Sequence, residues 1–290
     1  MKKTYKSILI LVTLVIFLIL CLIKAKIIGN LIIEYSILFL TSYYPVSFIF
    51  FIISSLLISY DLIGKARHVL ATNTSKLYVY ILSLISGFPS GAKYIKDLLN
   101  NKDITYNEAK KYLLFAHFPN PLFVLGTVSS ILNSNLSKTI LLSIIISNTI
   151  IFLFIKSDNS LINKKKEEKD FTSYLTLSIK SSFNTIIIVY GISLFFYLWF
   201  ALITNSFSFS PIIYVLLAGI FDLTKGVFSS IILSSELLKA FLILIFFSFG
   251  GISIHMQVKS ILNDNNLYLG YIKGRFWGTF LAIIIFFMLI

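Results

Sequence analysis

The chain has 290 residues, of which 57% are hydrophobic, 16% aromatic and only 13% charged. A water-soluble domain of this length cannot hide so much apolar surface in one core, so the composition excludes a soluble globular protein and points to a polytopic membrane protein. The net charge of +13 is not a nucleic-acid signature, because the lysines lie between apolar runs, where cytoplasmic loops collect them.

Apolar runs cover residues 8–23, 140–155, 185–204, 241–249 and 276–290. A helix needs roughly 20 apolar residues to cross a bilayer, with a range of about 17–25. Several runs fall at or below that length, so the expected fold is all-α, with discontinuous or re-entrant helices beside full crossings. The first run follows Lys2, Lys3 and Lys6 but lacks a small-x-small cleavage site, which predicts an uncleaved first span. Cys21 is the only cysteine, so neither a disulfide framework nor a thiolate metal cluster is expected.

The segment Ser86-Gly87-Phe88-Pro89-Ser90-Gly91-Ala92-Lys93 interrupts the next apolar stretch. Proline lacks an amide hydrogen and disfavours helix in the residue before it. Gly87 and Gly91 permit backbone angles other residues avoid. A new helix is predicted to start near Pro89 or Ser90. Its free N–H groups carry partial positive charge and suit an anion, with Lys93 one turn further in. The alternative is a kinked helix with Ser90 satisfying the backbone. A nucleotide phosphate loop is excluded, because only three residues separate Gly87 from Gly91 and Ala92-Lys93 follows.

Further along, His117-Phe118-Pro119-Asn120-Pro121 breaks another apolar stretch. Asn120 serves either a polar solute or the freed backbone groups. The lysine-rich residues 156–170, including Lys164, Lys165 and Lys166, form a cytoplasmic loop between a membrane half at 1–155 and a second at 171–290. Lys273 and Arg275 then mark the cytoplasmic end of the last span. The stretch 211–233 is about one span long, with Asp222 and Lys225 near its middle. Intramembrane ionisable residues are functional candidates by default, so Asp222 is read as ion-coupling or as one partner of a structural pair with Lys225, three residues away. In Ser248-Phe249-Gly250-Gly251-Ile252-Ser253-Ile254-His255, two glycines precede Ser253, His255 and Gln257, a second candidate solute-binding set.

The two glycine-interrupted segments echo each other. A shift of 163 places Gly87 on Gly250 and Ser90 on Ser253, and a shift of 161 places Asp61 on Asp222. This predicts a two-fold internal repeat over about 46–127 and 207–290. Interrupted apolar segments in corresponding places are the best sequence pointer to a transporter's midplane site.

As a set, residues 86–93, Asn120-Pro121-Leu122-Phe123 with Gly126-Thr127, and 248–257 resemble the YlbJ-type sporulation integral membrane proteins, which belong with the nucleoside-recognition or gate-domain proteins. Where that family is expected to carry an acidic cluster with Glu and Asn, this chain has Asp222-Leu223-Thr224-Lys225-Gly226. The resemblance implies a fold related to concentrative nucleoside transporters. It also implies a place in the outer forespore membrane and uptake of dipicolinic acid, a flat aromatic dianion, with other sporulation membrane proteins as partners. The expected solute-binding residues are Gly87, Ser90, Gly91, Lys93, Asn120, Ser253, His255 and Gln257. No cofactor, no metal and no enzymatic activity are expected. The alternatives are a gate-domain ion, metal or nucleoside permease, and a non-transporting scaffold.

Overall fold

A computed structural model describes residues 2–60, 74–156 and 170–290. Asp61 and the lysines at 164–166 lie outside the described residues. The described residues are all-helical. Four stretches are long and apolar enough to cross a membrane: Ser134–Phe154, Phe171–Thr204, Glu236–Leu262 and Asn265–Leu289. A fifth, Ser7–Ile23 with Ala25–Thr41, qualifies only as a pair bent by 98°.

In chain order, α1 is Lys2–Ile23, α2 Ala25–Leu38 and α3 Tyr44–Ser59, with a π-helical turn at Phe39–Tyr43 between the last two. Then come α4 Thr74–Ser86, α5 Ser90–Asn100 and α6 Tyr106–Tyr112. A looser segment ends in a second π-helical turn, Phe123–Thr127, before α7, Ser134–Phe154. The second half holds α8 Phe171–Thr204, α9 Pro211–Phe221, α10 Leu223–Ser229, α11 Glu236–Phe249, α12 Ile252–Leu262 and α13 Asn265–Leu289.

The ends of α7 mark two opposite faces of the protein. At its start, the Asn133 N–H donates to Glu236 Oε2 at 3.4 Å, beside the start of α11. At its finish, Lys76 Nζ donates to the Ile155 carbonyl at 2.6 Å, beside the start of α4. Two helix pairs enter from these opposite faces and fold back. In the first, Tyr94 of α5 donates from its hydroxyl to Ser86 Oγ of α4 at 2.7 Å. A β-carbon on Gly91 would lie 2.8 Å from Ser83 Oγ. In the second, a β-carbon on Gly226 of α10 would lie 2.7 Å from the Gly219 nitrogen of α9. Residues seven or eight apart in a straight helix stand more than about 10 Å apart, so both pairs are hairpins. Helix α9 is 11 residues long, about 16 Å at 1.5 Å per residue. That reaches roughly half-way through a 30 Å hydrocarbon core.

The two glycine breaks therefore differ in kind. The chain reverses at Gly87-Phe88-Pro89 but continues through Gly250-Gly251, where Glu236–Leu262 runs as one interrupted stretch. The stretch at 211–233 is likewise not one span but the second hairpin. Both Gly87 and Gly250 adopt positive φ, 75° and 90°, a region open to glycine and strained for other side chains.

Buried apolar residues form two clusters. The smaller joins α2, α3 and α8 through Tyr35, Phe51, Ile186, Val189 and Tyr197. The larger joins the hairpins, the broken stretches, α7 and α13. Helix α8 runs antiparallel to α2–α3, since Lys24 Nζ meets Ser206 Oγ at 2.9 Å and the rings of Tyr60 and Tyr174 lie 5.0 Å apart.

A methyl group on Gly226 would overlap the Gly219 backbone. Gly226→Ala is therefore expected to destabilise the detergent-solubilised protein by about 1–3 kcal/mol, whereas Gly29→Ala, in open space, leaves the melting midpoint unchanged. Equal thermal unfolding of the two variants would contradict the hairpin packing.

Candidate functional site

A cavity of about 330 Å³ opens between the two apolar clusters. It is lined from one side by Tyr35, Phe39, Val189 and Ser193 and from the other by Ser86, Phe88, Asn120, Phe247, Ile254 and Gln257, with Asp222 at the tip of the second hairpin. All four chain interruptions meet here. Phe39, Phe88, Phe123 and Phe247 give it aromatic walls.

Each interruption has its own chemistry. Asn120 follows a close approach of backbones, where a β-carbon on Gly87 would stand 2.6 Å from the Asn120 nitrogen. Its Oδ1 accepts from the Leu122 N–H at 2.9 Å and from Phe123 at 3.4 Å, so Asn120 caps the turn that follows. Of the two expected roles, the satisfaction of freed backbone is the one its carbonyl performs; its Nδ2 reaches the Ser86 carbonyl at 3.5 Å, at the cavity wall. Asp222 caps α10 in the same way, with Oδ1 accepting from the Lys225 backbone N–H at 3.0 Å. Asp222 Oδ2 accepts from the Ser253 hydroxyl at 3.2 Å, which ties the hairpin tip to the start of α12. A carboxylate and a hydroxyl at a helix start complement its partial positive charge.

The expected Asp222–Lys225 side-chain pair is not formed. Lys225 Nζ lies 5.6 Å above the Tyr197 ring, and only its backbone N–H meets the carboxylate. Lys93 also departs from its expected place. Its ammonium is buried and donates to Ser55 Oγ at 2.8 Å and Asp97 Oδ2 at 2.7 Å. The Asp97 carboxylate, four residues on along α5, holds it against α3 and away from the cavity. Ser90 and Gly91 pack at the start of α5 without lining the cavity, Gly91 beneath the Ala116 carbonyl.

Helical geometry also separates Ser253, His255 and Gln257. Positions 253 and 257 share one face of α12, and 255 points elsewhere. Gln257 Nε2 donates to Ser193 Oγ at 2.7 Å, bridging the two clusters across the cavity. Its Oε1 is buried and has no partner among the described residues. His255 Nε2–H donates to the Phe249 carbonyl at 3.1 Å and Nδ1 accepts from the Tyr268 hydroxyl at 3.1 Å, behind the cavity wall.

Arg275 is the residue the sequence misplaced most. Far from marking a cytoplasmic end, it is 0% exposed. Its guanidinium donates to the carbonyls of Leu114 at 3.2 Å and Ser248 at 3.3 Å, and to Asn148 Oδ1 at 3.3 Å. His117 is held beside it. Its Nε2–H donates to the Phe247 carbonyl at 3.2 Å, Nδ1 accepts from Tyr271 at 3.0 Å, and its ring stacks on Phe88 at 4.8 Å. Tyr35, Ser193 and Phe247 carried no sequence signal, being common residues in apolar helices.

Asparagine caps helices as well as aspartate does. Asp222→Asn is therefore expected to keep most of the stability, whereas Asp222→Leu, losing the cap and the Ser253 bond, costs about 1–3 kcal/mol in thermal unfolding. Lys93→Met, which strands Asp97, is expected to destabilise to a comparable degree, and a neutral effect would show that the pair is not formed.

Comparison with family models, with curated proteins and with solved structures finds no match for this chain.

Proposed function

We propose that the chain is a membrane carrier that moves a small flat solute by alternating access around the central cavity. The observation that carries this reading is the meeting of four chain interruptions at one aromatic-walled cavity on the seam between two packed bodies. Freed backbone groups at membrane depth are tolerated where they line a cavity. Seams between bodies are where substrate sites of such carriers lie.

In this reading the two halves form an inverted repeat in a different register from the one the glycines suggested. Helices α2–α3 correspond to α8, hairpin α4–α5 to hairpin α9–α10, the broken stretch from α6 through Asn120 to α11–α12, and α7 to α13. A shift of 131 then places Phe118 on Phe249 and Asn120 on Gly251. The hairpins entering from opposite faces support the inversion. The re-entrant hairpins bring their tips, Gly87 to Pro89 and Asp222, to the solute.

Dipicolinate, the solute the resemblance implies, is the first candidate, with the outer forespore membrane of a sporulating cell as the place of action. The ring fits between Phe39, Phe88, Phe123 and Phe247. Its carboxylates meet neutral donors, namely the hydroxyls of Tyr35, Tyr43, Ser47 and Ser193 and the N–H groups at the start of α12. A nucleoside is the second reading. One observation favours it: among the described residues no lysine or arginine lines the cavity, and Asp222 does. Two full negative charges beside a buried carboxylate are costly without a counter-ion.

The test is uptake of labelled dipicolinate and labelled uridine, in parallel, into liposomes holding only this protein. Dipicolinate accumulation supports the first reading, uridine alone the second, and uptake of neither overturns the carrier. Gln257→Leu is expected to weaken uptake of the transported solute about tenfold, the loss of roughly one hydrogen bond in a buried site, with melting unchanged within about 1 kcal/mol.

A further inference from the structure

A second depression lies away from the central cavity, between α8 and the joint of α12 and α13. It measures about 570 Å³ and is walled by Ile192, Phe195, Phe196 and Met256, with Lys259, Ser260 and Asp264 at one end. Helix α12 is eleven residues long, and its Ile254 and Gln257 line the central cavity before it ends at Leu262. If the cavity's middle, at Ile254, sits at mid-bilayer, as the carrier reading has it, Asp264 lies about 15 Å further along, at headgroup level, and the long Lys259 side chain extends toward the same level. The aromatic wall then faces hydrocarbon.

We propose that this groove binds a phospholipid whose headgroup carries both a phosphate and a primary amine. The inference rests on the carrier reading only for its depth in the bilayer. Two opposite charges share the groove's polar end, and no ion pair joins them. Lys259 Nζ lies 5.6 Å above the Tyr268 ring, free to turn to a phosphate. Asp264 directs one oxygen inward, where Oδ1 accepts from the Asn266 N–H at 2.8 Å, the Leu267 N–H at 2.9 Å and the Tyr106 hydroxyl at 2.9 Å. The Leu267 N–H above all, with Tyr106, holds its carboxyl below the ordinary aspartate range, so it is ionised at neutral pH. Oδ2 makes none of these three bonds and is the oxygen offered to an ammonium group, with the Lys96 charge also acting on the carboxylate. A glycerol headgroup would offer Asp264 no cation. A choline headgroup would offer a cation with no N–H to donate. Basic sites between helices at the cytoplasmic surface already favour phosphate groups, and the adjacent carboxylate adds the demand for an amine.

The experiment is native mass spectrometry of the full chain released from nanodiscs containing equal parts of phosphatidylethanolamine, phosphatidylglycerol and phosphatidylcholine of matched acyl chains. Retained phosphatidylethanolamine is expected to exceed each of the others several-fold. Asp264→Asn, which keeps the cap of α13, is expected to abolish the preference over phosphatidylcholine. Lys259→Gln, at an exposed position, is expected to reduce retention of all three. Preferential retention of phosphatidylglycerol, equal retention of the three lipids, or an unaltered preference in both variants would each overturn the proposal. Solute uptake is expected to persist in both variants. Because lipid retention is read without transport, failure of the carrier reading and failure of this site are separable.

Discussion

A helix interrupted in a low-dielectric interior releases N–H and C=O groups that hydrocarbon cannot satisfy, and each one left bare costs about 1–3 kcal/mol. The architecture follows from how this chain meets that constraint. At Gly250-Gly251, the carbonyl end of α11 receives the Arg275 guanidinium through Ser248, and the amide end of α12 faces Ser253 and Asp222. Positive charge thus meets the negative end of one helix, and negative charge the positive end of the next. Arg275 reaches Leu114 in the first half as well, so one side chain holds carbonyls freed at both broken stretches. A buried guanidinium without a carboxylate is expensive; hydrogen bonds to the Leu114, Ser248 and His117 carbonyls and to Asn148 Oδ1 offset part of that cost.

Once the interruptions are held in place, the cavity follows from packing. The tips of two half-length hairpins and two broken stretches leave a space that neither apolar cluster fills. Gly219, Gly226 and Gly251 have no side chain to fill it and bring backbones together instead, with Phe246 packed over the first two. The Gln257–Ser193 bond is the polar link across the seam. A motion that separates the two bodies would break it and leave both groups without their partner.

The charged residues show how local reading can mislead. Lys93 and Lys225 stand in sequence beside the two hairpin tips, where an anion site would want them. One is neutralised by Asp97 and the other lies over Tyr197. Both are long flexible side chains, and the direction they take is set by neighbours from other helices. Asp222 and Asn120 behave as their short side chains dictate, bonding the backbone two or three residues ahead, so their capping roles were within reach of the sequence.

The membrane class, the breaks at Gly87–Pro89, Asn120 and Gly250–Gly251, and the start of a helix at Ser90 were all determined by the sequence. Each depends on properties of one residue or its near neighbours: hydropathy, a missing amide hydrogen, access to positive φ. The tertiary structure decided whether the chain reverses or continues at a break, the burial of Arg275 and the membership of the cavity wall. Those outcomes depend on contacts between segments 30 to 160 residues apart, and no local property of Gly87 or Gly250 distinguishes a turn back from a step onward.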